Sequence, residues 1–204
     1  MPKVSDQYKE EKRNTLIQSA LHCFGDRGYD STTVDDIIRH AGVSKGMLYT
    51  YFASKEDILL ELLRQRTTQM VVEVEQELQR HASPVDRVLV VLRRYRMTPL
   101  STDRKNWTVV YLEFWLASSR HPQRQQLLLG RYETLVGFLA EMIDEGKKQG
   151  AFHQDVDART TAAFYWAMCD GINLHLSQTG DDKQSEAMWH TAEEMLVRHL
   201  TRAK

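Results

Sequence analysis

The residues of this chain that are best suited to contact a partner surface lie at positions 45–50. A helix that begins after Ser44 would bury Leu48 and Phe52, an i,i+4 pair, and leave its opposite side free. Residues in the first turn of such a helix can reach base edges in a DNA major groove. Gly46 and Thr50 would point away from the buried pair, Met47 and Tyr49 would lie on its flanks, and Lys45 would sit in the first turn. These residues offer an ammonium, a glycine, a thioether, a phenol and a hydroxyl to a partner surface.

A second short helix is predicted immediately before this one. Thr33 can cap its start, and acidic residues in its first turn suit the positive end of the helix dipole. Gly42 would end it, because glycine enters a left-handed conformation without steric strain. The two helices together predict a helix-turn-helix at about residues 33–52. The buried face of the first helix would consist of Val34, Ile37, Ile38 and Ala41.

The charge near this motif suits a phosphate surface. From Arg39 to Lys55 there are three basic residues, including Lys45, and no acidic residue. Basic side chains supply most of the sequence-independent affinity of DNA-binding proteins. A helical hairpin with a solvated polar face would carry the same pattern, so the pattern alone leaves both interpretations open.

Residues 12–66 resemble the DNA-binding domain of the TetR (tetracycline-repressor-like) family of bacterial transcriptional regulators. Several short phrases match in the same order, whereas the remaining two-thirds of the chain is similar only in helix count and a few local phrases. The matching phrases are Phe24-Gly25-Asp26-Arg27-Gly28-Tyr29, Ser31-Thr32-Thr33-Val34 with Ile37, Ala41-Gly42-Val43-Ser44-Lys45-Gly46, Leu48-Tyr49-Thr50-Tyr51-Phe52 and Ser54-Lys55-Glu56-Asp57-Ile58-Leu59.

The resemblance implies a homodimeric repressor that a small molecule releases from a palindromic operator on double-stranded DNA. Two copies of the helix after Ser44 would enter successive major grooves, about 34–36 Å apart. Its free side would face the bases, and other residues would hold phosphates, which position the protein without specifying sequence. These phosphate ligands are expected to be Thr33, Ser44, Tyr51 and Lys55. A transcriptional activator of the same fold and a helical adaptor that binds no DNA remain alternatives.

Composition and periodicity predict an all-α protein with about nine helices. Of the 204 residues, 42% are hydrophobic, which is enough for a sizeable core, and strand patterns and hairpin turns are scarce. We expect an N-terminal helix-turn-helix domain at residues 1–54 and a C-terminal helical ligand-binding and dimerisation domain at residues 55–204. The net charge of −1 neither supports nor excludes a nucleic-acid partner.

Caps and breakers predict the helices of the second domain. A long helix at about 55–80 would start beside the helix-turn-helix, and a loop is expected at 100–105. Apolar residues fall almost all round the helix at about 106–119, so we expect that helix to be buried. The resemblance implies that the last two long helices, near 158–177 and 185–202, pair between subunits to form the dimer.

A pocket for an unidentified small-molecule effector is expected among the aromatic residues of the second domain. Cavities between helices are typically lined by aromatic and apolar groups with a few polar anchors. Asp170 could balance a cationic ligand, with Asn173 as a hydrogen-bonding neighbour. The aromatic residues could equally be core, and Asp170 could face solvent or the dimer partner. The candidate ligand-binding residues are Trp107, Tyr111, Phe114, Trp115, Trp166, Asp170 and Asn173.

The sequence offers no grouping typical of an enzyme, a metal site or a bound cofactor. It contains no GxSxG, Gly-rich phosphate loop, HExxH or DxDxDG motif, so we expect no catalytic residue, no metal and no cofactor. Cys23 and Cys169 lack CxxC spacing, and we expect both to pack as small hydrophobic residues. The N-terminus lacks the apolar core of a signal peptide, and no apolar run could span a bilayer. We therefore expect a cytoplasmic protein without a membrane partner.

Overall fold

The computed structural model describes residues 6–97 and 102–201, and within these ranges the chain folds into helices and turns only. This confirms the predicted all-α class. None of the helices in these ranges is both long and apolar enough to cross a membrane. The described residues form nine helices, which are α1 (Asp6–Arg27), α2 (Val34–Ala41), α3 (Lys45–Tyr51), α4 (Lys55–Leu78), α5 (Pro84–Met97), α6 (Thr102–Ser118), α7 (Pro122–Lys148), α8 (Ala158–Thr179) and α9 (Asp182–Thr201).

The chain divides into two compact units. Unit 1 comprises Met1–Arg66 and Ser101–Arg120, and unit 2 comprises Thr67–Leu100 and His121–Lys204. The first half of α4 and the whole of α6 therefore group with α1, α2 and α3. The predicted functional boundary after residue 54 is a different kind of division, and the assignment of functions to 1–54 and 55–204 stays a prediction.

Unit 1 packs around the apolar side of α1, where Leu16, Ile17 and Phe24 are fully buried. Full burial of such a side chain contributes about 1.5–3 kcal/mol. Helix α6 approaches α1 closely because residue 25 is a glycine, and a Cβ there would lie 2.4 Å from the Asn106 Cγ. Gly28 then ends α1 in the left-handed conformation, with φ of 80°.

Unit 2 has its own core, in which Tyr165 and Trp166 are buried with their polar atoms hydrogen-bonded. The Tyr165 hydroxyl donates to the Val91 carbonyl at 3.3 Å, and the Trp166 Nε1 donates to the Leu135 carbonyl at 2.9 Å. A buried donor left without an acceptor costs about 1–3 kcal/mol. These two bonds therefore fix α8 against α5 and α7 in one register.

Several helix boundaries differ from the predictions. Helix α8 extends to Thr179 and α9 begins at Asp182, rather than near residues 177 and 185. Helix α4 ends at Leu78, two residues before the predicted end near Arg80. Helix α6 begins at Thr102, so the loop predicted at 100–105 is wrong for residues 102–105, while residues 100 and 101 lie outside the described residues. Thr and Asp, which suggested a loop, are also residue types that favour the start of a helix.

The prediction that α6 is buried all round is wrong. Val110 and Phe114 are fully buried, but Trp115 is 51% exposed and Leu116 is 65% exposed. A side chain is buried only where another element packs over it, and helical periodicity does not show which sides of a helix have such a neighbour.

Candidate nucleic-acid interface

Helix α2 is fixed at its start by a complete capping box. The Asp36 backbone N–H donates to the Thr33 Oγ1 at 3.1 Å, and the Thr33 backbone N–H donates to the Asp36 Oδ2 at 3.0 Å. Hydrogen bonds from Thr33 lower the pKa of the Asp36 carboxyl to about 2, so Asp36 is ionised at neutral pH. Gly42 closes the helix with φ of 64°. Both predicted ends of α2 are confirmed.

Helix α3 starts at the predicted cap and is held by its predicted apolar pair. The Met47 backbone N–H donates to the Ser44 Oγ at 3.2 Å, which satisfies one of the free donors of the first turn. Leu48 is fully buried and Phe52 is nearly so. The Arg13 guanidinium of α1 lies 5.6 Å from the centre of the Phe52 ring. The position of α3 is therefore set by a turn, a cap and one apolar face.

The opposite side of α3 is left open by the rest of the described chain. The Lys45 side chain is 61% exposed and Tyr49 is 50% exposed. A Cβ added to Gly46 would have no atom of another described residue within 4 Å. Thr50 is exposed and its hydroxyl donates to the Gly46 carbonyl at 2.9 Å, while Met47 is half-buried. Of the five predicted base-facing residues, four are thus exposed and Met47 is half-buried, while Leu48 between them is buried.

The four predicted phosphate ligands differ in the donors that they keep. The Thr33 hydroxyl donates to the Asp36 Oδ2 at 2.6 Å, so its hydrogen is already used within α2. The Ser44 Oγ only accepts, from Met47, and its own hydrogen can still donate. Tyr51 is half-buried and its hydroxyl has no hydrogen-bond partner among residues 6–97 and 102–201. Ser44 and Tyr51 are therefore the members of this set with a donor to offer.

Lys55 has a structural role that sequence reasoning missed. Its Nζ donates to the carbonyls of Tyr29, Asp30 and Thr32 at 2.8, 3.1 and 2.9 Å. The same ammonium lies 4.6 Å from the centre of the Tyr29 ring. An ammonium has three hydrogens to donate, so all of them are used in holding the α1–α2 turn.

A pair of arginines beside α2 also escaped prediction. The Nη1 atoms of Arg27 and Arg39 lie 3.0 and 3.2 Å from the same Asp36 oxygen, and both side chains are largely exposed. Arg27 is nine residues from Asp36, on a different helix, so helical spacing gave no signal for this cluster. One carboxylate thus holds two exposed guanidinium groups at the edge of unit 1.

Comparison with known proteins decides the family. The model of the bacterial regulatory proteins of the tetR family matches residues 16–62, and that of the BetI-type transcriptional repressor C-terminal region matches residues 84–201. The chain belongs to the TetR family. This TetR-family protein is accordingly a DNA-binding transcriptional regulator, and its relatives are transcriptional regulators as well.

The regulator is similar to individual relatives over 70% or more of its length. It is 26% identical to the HTH-type transcriptional regulator BetI of Rhizobium meliloti, covering 98% of this chain and 94% of that protein. It is 28% identical to the fatty acid metabolism regulator protein of Bacillus subtilis, covering 70% and 74% of the two chains. Among solved structures, a transcriptional regulator from Saccharomonospora viridis in complex with choline matches with a TM-score of 0.80 and 25% identity, covering 95% of this chain and 100% of that chain.

The predicted effector-binding residues of the regulator divide between the two compact units. In unit 1, the Trp107 and Tyr111 rings stack with centroids 5.9 Å apart, and the Arg66 guanidinium lies 5.5 Å from the Trp107 ring. Phe114 is buried, with its ring edge-on to Tyr29 at 5.4 Å, whereas Trp115 is exposed. Trp115 therefore does not share the surroundings of the other three.

In unit 2, Trp166, Asp170 and Asn173 lie on one side of α8 at i, i+4 and i+7. Trp166 is buried, while Asp170 and Asn173 are half-buried. Burial raises the pKa of the Asp170 carboxyl to about 6, and the charge of Arg131 lowers it by a smaller amount. A carboxyl whose pKa is raised towards neutral pH is typical of functional positions as well as of buried structural ones.

Unit 2 also contains a half-open cavity of about 220 Å³ that the sequence did not predict. It lies between α4, α5 and α7, and none of the seven predicted effector-binding residues lines it. Its walls combine apolar groups with three carboxylates and one guanidinium. The lining residues are Glu75, Leu78, Pro84, Arg87, Phe138, Glu141, Met142, Glu145 and Gln149.

Within the described residues, no group of three or more His, Cys, Asp or Glu side chains is arranged to hold a metal ion. Cys23 and Cys169 are both buried and form no disulfide. Burial raises the pKa of the Cys23 thiol, with a smaller contribution from Asp36, so less of its reactive thiolate is present at neutral pH.

Proposed function

We propose that this regulator is a homodimeric repressor whose two α3 helices bind a near-palindromic operator, and that a small molecule releases it. The observation that carries this proposal is the contrast between the two sides of α3. Leu48 is fully buried, whereas Gly46 and Thr50 on the opposite side are exposed, and Lys45 and Tyr49 are exposed by half or more. A seven-residue helix that is anchored this firmly yet left open is suited to enter a major groove.

The proposed contacts follow from which groups remain free. Lys45, Gly46, Met47, Tyr49 and Thr50 would face bases or the groove wall. Ser44 and Tyr51 would donate to phosphates, and such contacts position the helix without specifying sequence. Thr33 and Lys55 stay in the proposed site as supports of α2 and of the turn before it, because their donors are used within the chain.

The dimer is proposed to form through α8 and α9, because both helices leave large apolar side chains uncovered. Phe164 and Leu174 on α8 and Met195 on α9 are exposed. On α8 the exposed residues Phe164, Ala167, Gly171 and Leu174 follow helical spacing, and a Cβ at Gly171 would meet no atom of another described residue within 4 Å. A face with small residues between large ones allows another helix to approach closely.

Release from the operator is proposed to come from an effector bound in the C-terminal domain. The Saccharomonospora viridis regulator was solved with choline, and a cationic group of that kind would be balanced by Asp170 once it is ionised. The candidate aromatic partner in the same unit is Trp166, one helical turn before Asp170 on α8. An effector shifts the dimer away from its DNA-binding conformation only by the difference between its affinities for the two conformations.

DNA binding is tested by selecting duplexes from a random pool with the purified protein and then titrating the selected duplex with Lys45→Ala and Tyr49→Ala. Both variants should lose operator affinity while analytical ultracentrifugation still finds a dimer. Wild-type affinity should fall steeply as salt rises, because bound phosphates release counterions. Variants that bind the operator like the wild type would contradict the assigned face, and a wild type that selects no duplex would contradict the function.

Effector binding is tested by calorimetric titration with choline as the first probe. Asp170→Asn should abolish binding, while Asp144→Asn on α7 should leave it unchanged, since that carboxylate is exposed and pairs with Lys147. Equal binding by the wild type and Asp170→Asn would remove Asp170 from the effector site.

A further inference from the structure

An ion pair joins the two helices of the motif on their exposed surface. The Lys45 Nζ of α3 lies 3.2 Å from the Asp35 Oδ1 of α2, and the two side chains are 61% and 66% exposed. Sequence analysis placed Asp35 only as a first-turn acid that suits the dipole of α2. Its side chain in fact reaches the first residue of α3, so one hydrogen-bond donor and one acceptor stand side by side.

This ion pair is not needed to hold the helices together. Exposed ion pairs contribute little to stability because water and salt screen them. The position of α3 is already fixed by the Gly42 turn, the Ser44 cap and the buried Leu48 side chain. A carboxylate beside a phosphate-binding surface also weakens attraction to DNA in general. The dipole of α2 accounts for an acid in its first turn but does not require that its side chain reach Lys45, and this pairing points to a use on the DNA itself.

The chemistry of a G·C pair matches this arrangement. In the major groove guanine presents two acceptors, N7 and O6, and the paired cytosine presents the N4 donor beside them. O6 and N4 are hydrogen-bonded to each other in the base pair, so they are about 2.9 Å apart. The Lys45 nitrogen and the Asp35 oxygen, 3.2 Å apart, offer the complementary donor and acceptor at nearly the same spacing.

We propose that Asp35 and Lys45 together recognise one G·C base pair in each operator half-site, an inference that rests on the proposed DNA-binding function. Lys45 donates to guanine O6 and N7, and Asp35 accepts the groove-facing hydrogen of cytosine N4. In the major groove an A·T pair presents, in order, an acceptor, a donor, an acceptor and a methyl group. Because the donor separates the two acceptors, the lysine finds no adjacent pair of acceptors there. Asp35 is a specificity-determining residue that lowers affinity for every other sequence.

The test uses the duplex selected by the wild-type protein and copies of it in which one cytosine at a time carries an N4-methyl group. This methyl replaces the groove-facing hydrogen and leaves base pairing intact. At one position in each half-site the methyl group should weaken wild-type binding about tenfold, the effect typical of one good base contact. Asp35→Ala, which removes the acceptor as well as the charge, should bind the methylated and unmethylated duplexes within about threefold of each other and should bind random DNA more tightly than the wild type.

Asp6→Ala is the matched control, because Asp6 forms a similar exposed pair with Lys9 at 3.1 Å and its loss changes the net charge equally. It should keep the wild-type sensitivity to methylation. The proposal is overturned if Asp35→Ala keeps that sensitivity, if both variants lose it equally, or if no cytosine of the selected duplex responds. In those cases the wild type still binds its operator, so the proposed function stands, whereas failure to select any duplex removes both.

Discussion

Candidate functional residues lie on two helices, and different parts of the chain position them. We call residues 45–47, 49 and 50 the α3 row, and Trp166, Asp170 and Asn173 the α8 row. On α3, a cap at Ser44 and a turn at Gly42 lie within three residues of Lys45 and fix the whole row. On α8, the surroundings of Asp170 depend on α7, which contributes Arg131 from 39 positions earlier in the chain. Local signals therefore define the first row, while packing between distant segments defines the second.

The substitution expected to disturb the α3 row most removes the buried side chain of Leu48, which anchors α3. Leu48→Ala should destabilise unit 1 by about 2–5 kcal/mol, because a fully buried leucine is replaced by a cavity. Thermal unfolding followed by circular dichroism measures this loss. Tyr49→Ala is the matched control on the next residue, which is half exposed and should change stability little. Equal unfolding temperatures for Leu48→Ala and the wild type would show that α3 is not anchored through this residue.

In the α8 row, the pH dependence of stability tests the raised pKa of Asp170. The pKa of this carboxyl rises from 3.8 to about 6 in the folded protein, so its ionised form opposes folding. The contribution of protonated Asp170 to the free energy of unfolding is therefore complete below pH 3.8, and it is lost as the pH rises through 6. Asp170→Asn should therefore raise the free energy of unfolding at pH 7.5 by on the order of 1–3 kcal/mol and change it little near pH 4. Chemical denaturation at the two pH values measures both differences, and an equal effect at both would contradict the assigned titration.

Gly46→Ala separates binding from stability on α3. Alanine should make the helix more stable by up to about 1 kcal/mol, because glycine has low helix propensity and the site has room for a Cβ. Operator affinity should nevertheless fall by roughly tenfold, about 1.4 kcal/mol, because the methyl group blocks close approach of the groove wall. Fluorescence anisotropy and thermal unfolding of the same preparation measure the two effects. Unchanged affinity would show that the backbone at residue 46 stays away from DNA.

The smallest expected effect is the loss of the α2 cap. Thr33→Ala should cost about 1 kcal/mol, since the Asp36 N–H loses its acceptor. The pKa of the Asp36 carboxyl is lowered to about 2 in the folded protein. Ionised Asp36 therefore stabilises the fold above pH 3.8, and this stabilisation is lost as the pH falls towards 2. Thr50→Ala, which removes an exposed hydroxyl within α3, is the control for this variant. If the two substitutions cost the same when compared by thermal unfolding, the capping box has no special effect.

The sequence predicted most of what local chemistry controls. The caps at Thr33 and Ser44, the stop at Gly42 and the buried pair Leu48 and Phe52 all lie within a few residues of what they fix. It did not predict that Lys55 holds three carbonyls of the α1–α2 turn, because those partners are at least 23 residues away. The exposure of Trp115 was missed for the same reason, since burial is decided by elements that are distant in sequence.

The effector site was harder to predict than the DNA-binding surface because aromatic residues serve cores and pockets equally well. Phe114 packs on Tyr29 and Trp166 donates to a backbone carbonyl, so both also fill the interior of their own unit. The cavity lined by Glu75, Arg87 and Phe138 uses residues from three helices that no spacing rule connects. Residue type alone could not separate these possibilities.

Methylation interference on the selected duplex tests the central claim most directly, because methylated guanine N7 blocks contacts in the major groove only. If paired α3 helices bind the operator, interfering guanines should fall in two clusters whose centres are about 34–36 Å apart. Lys45→Ala should fail to form the bound complex, so neither cluster should be seen with this variant. A single cluster, or interference that is unchanged in complexes formed by Lys45→Ala, would contradict the account.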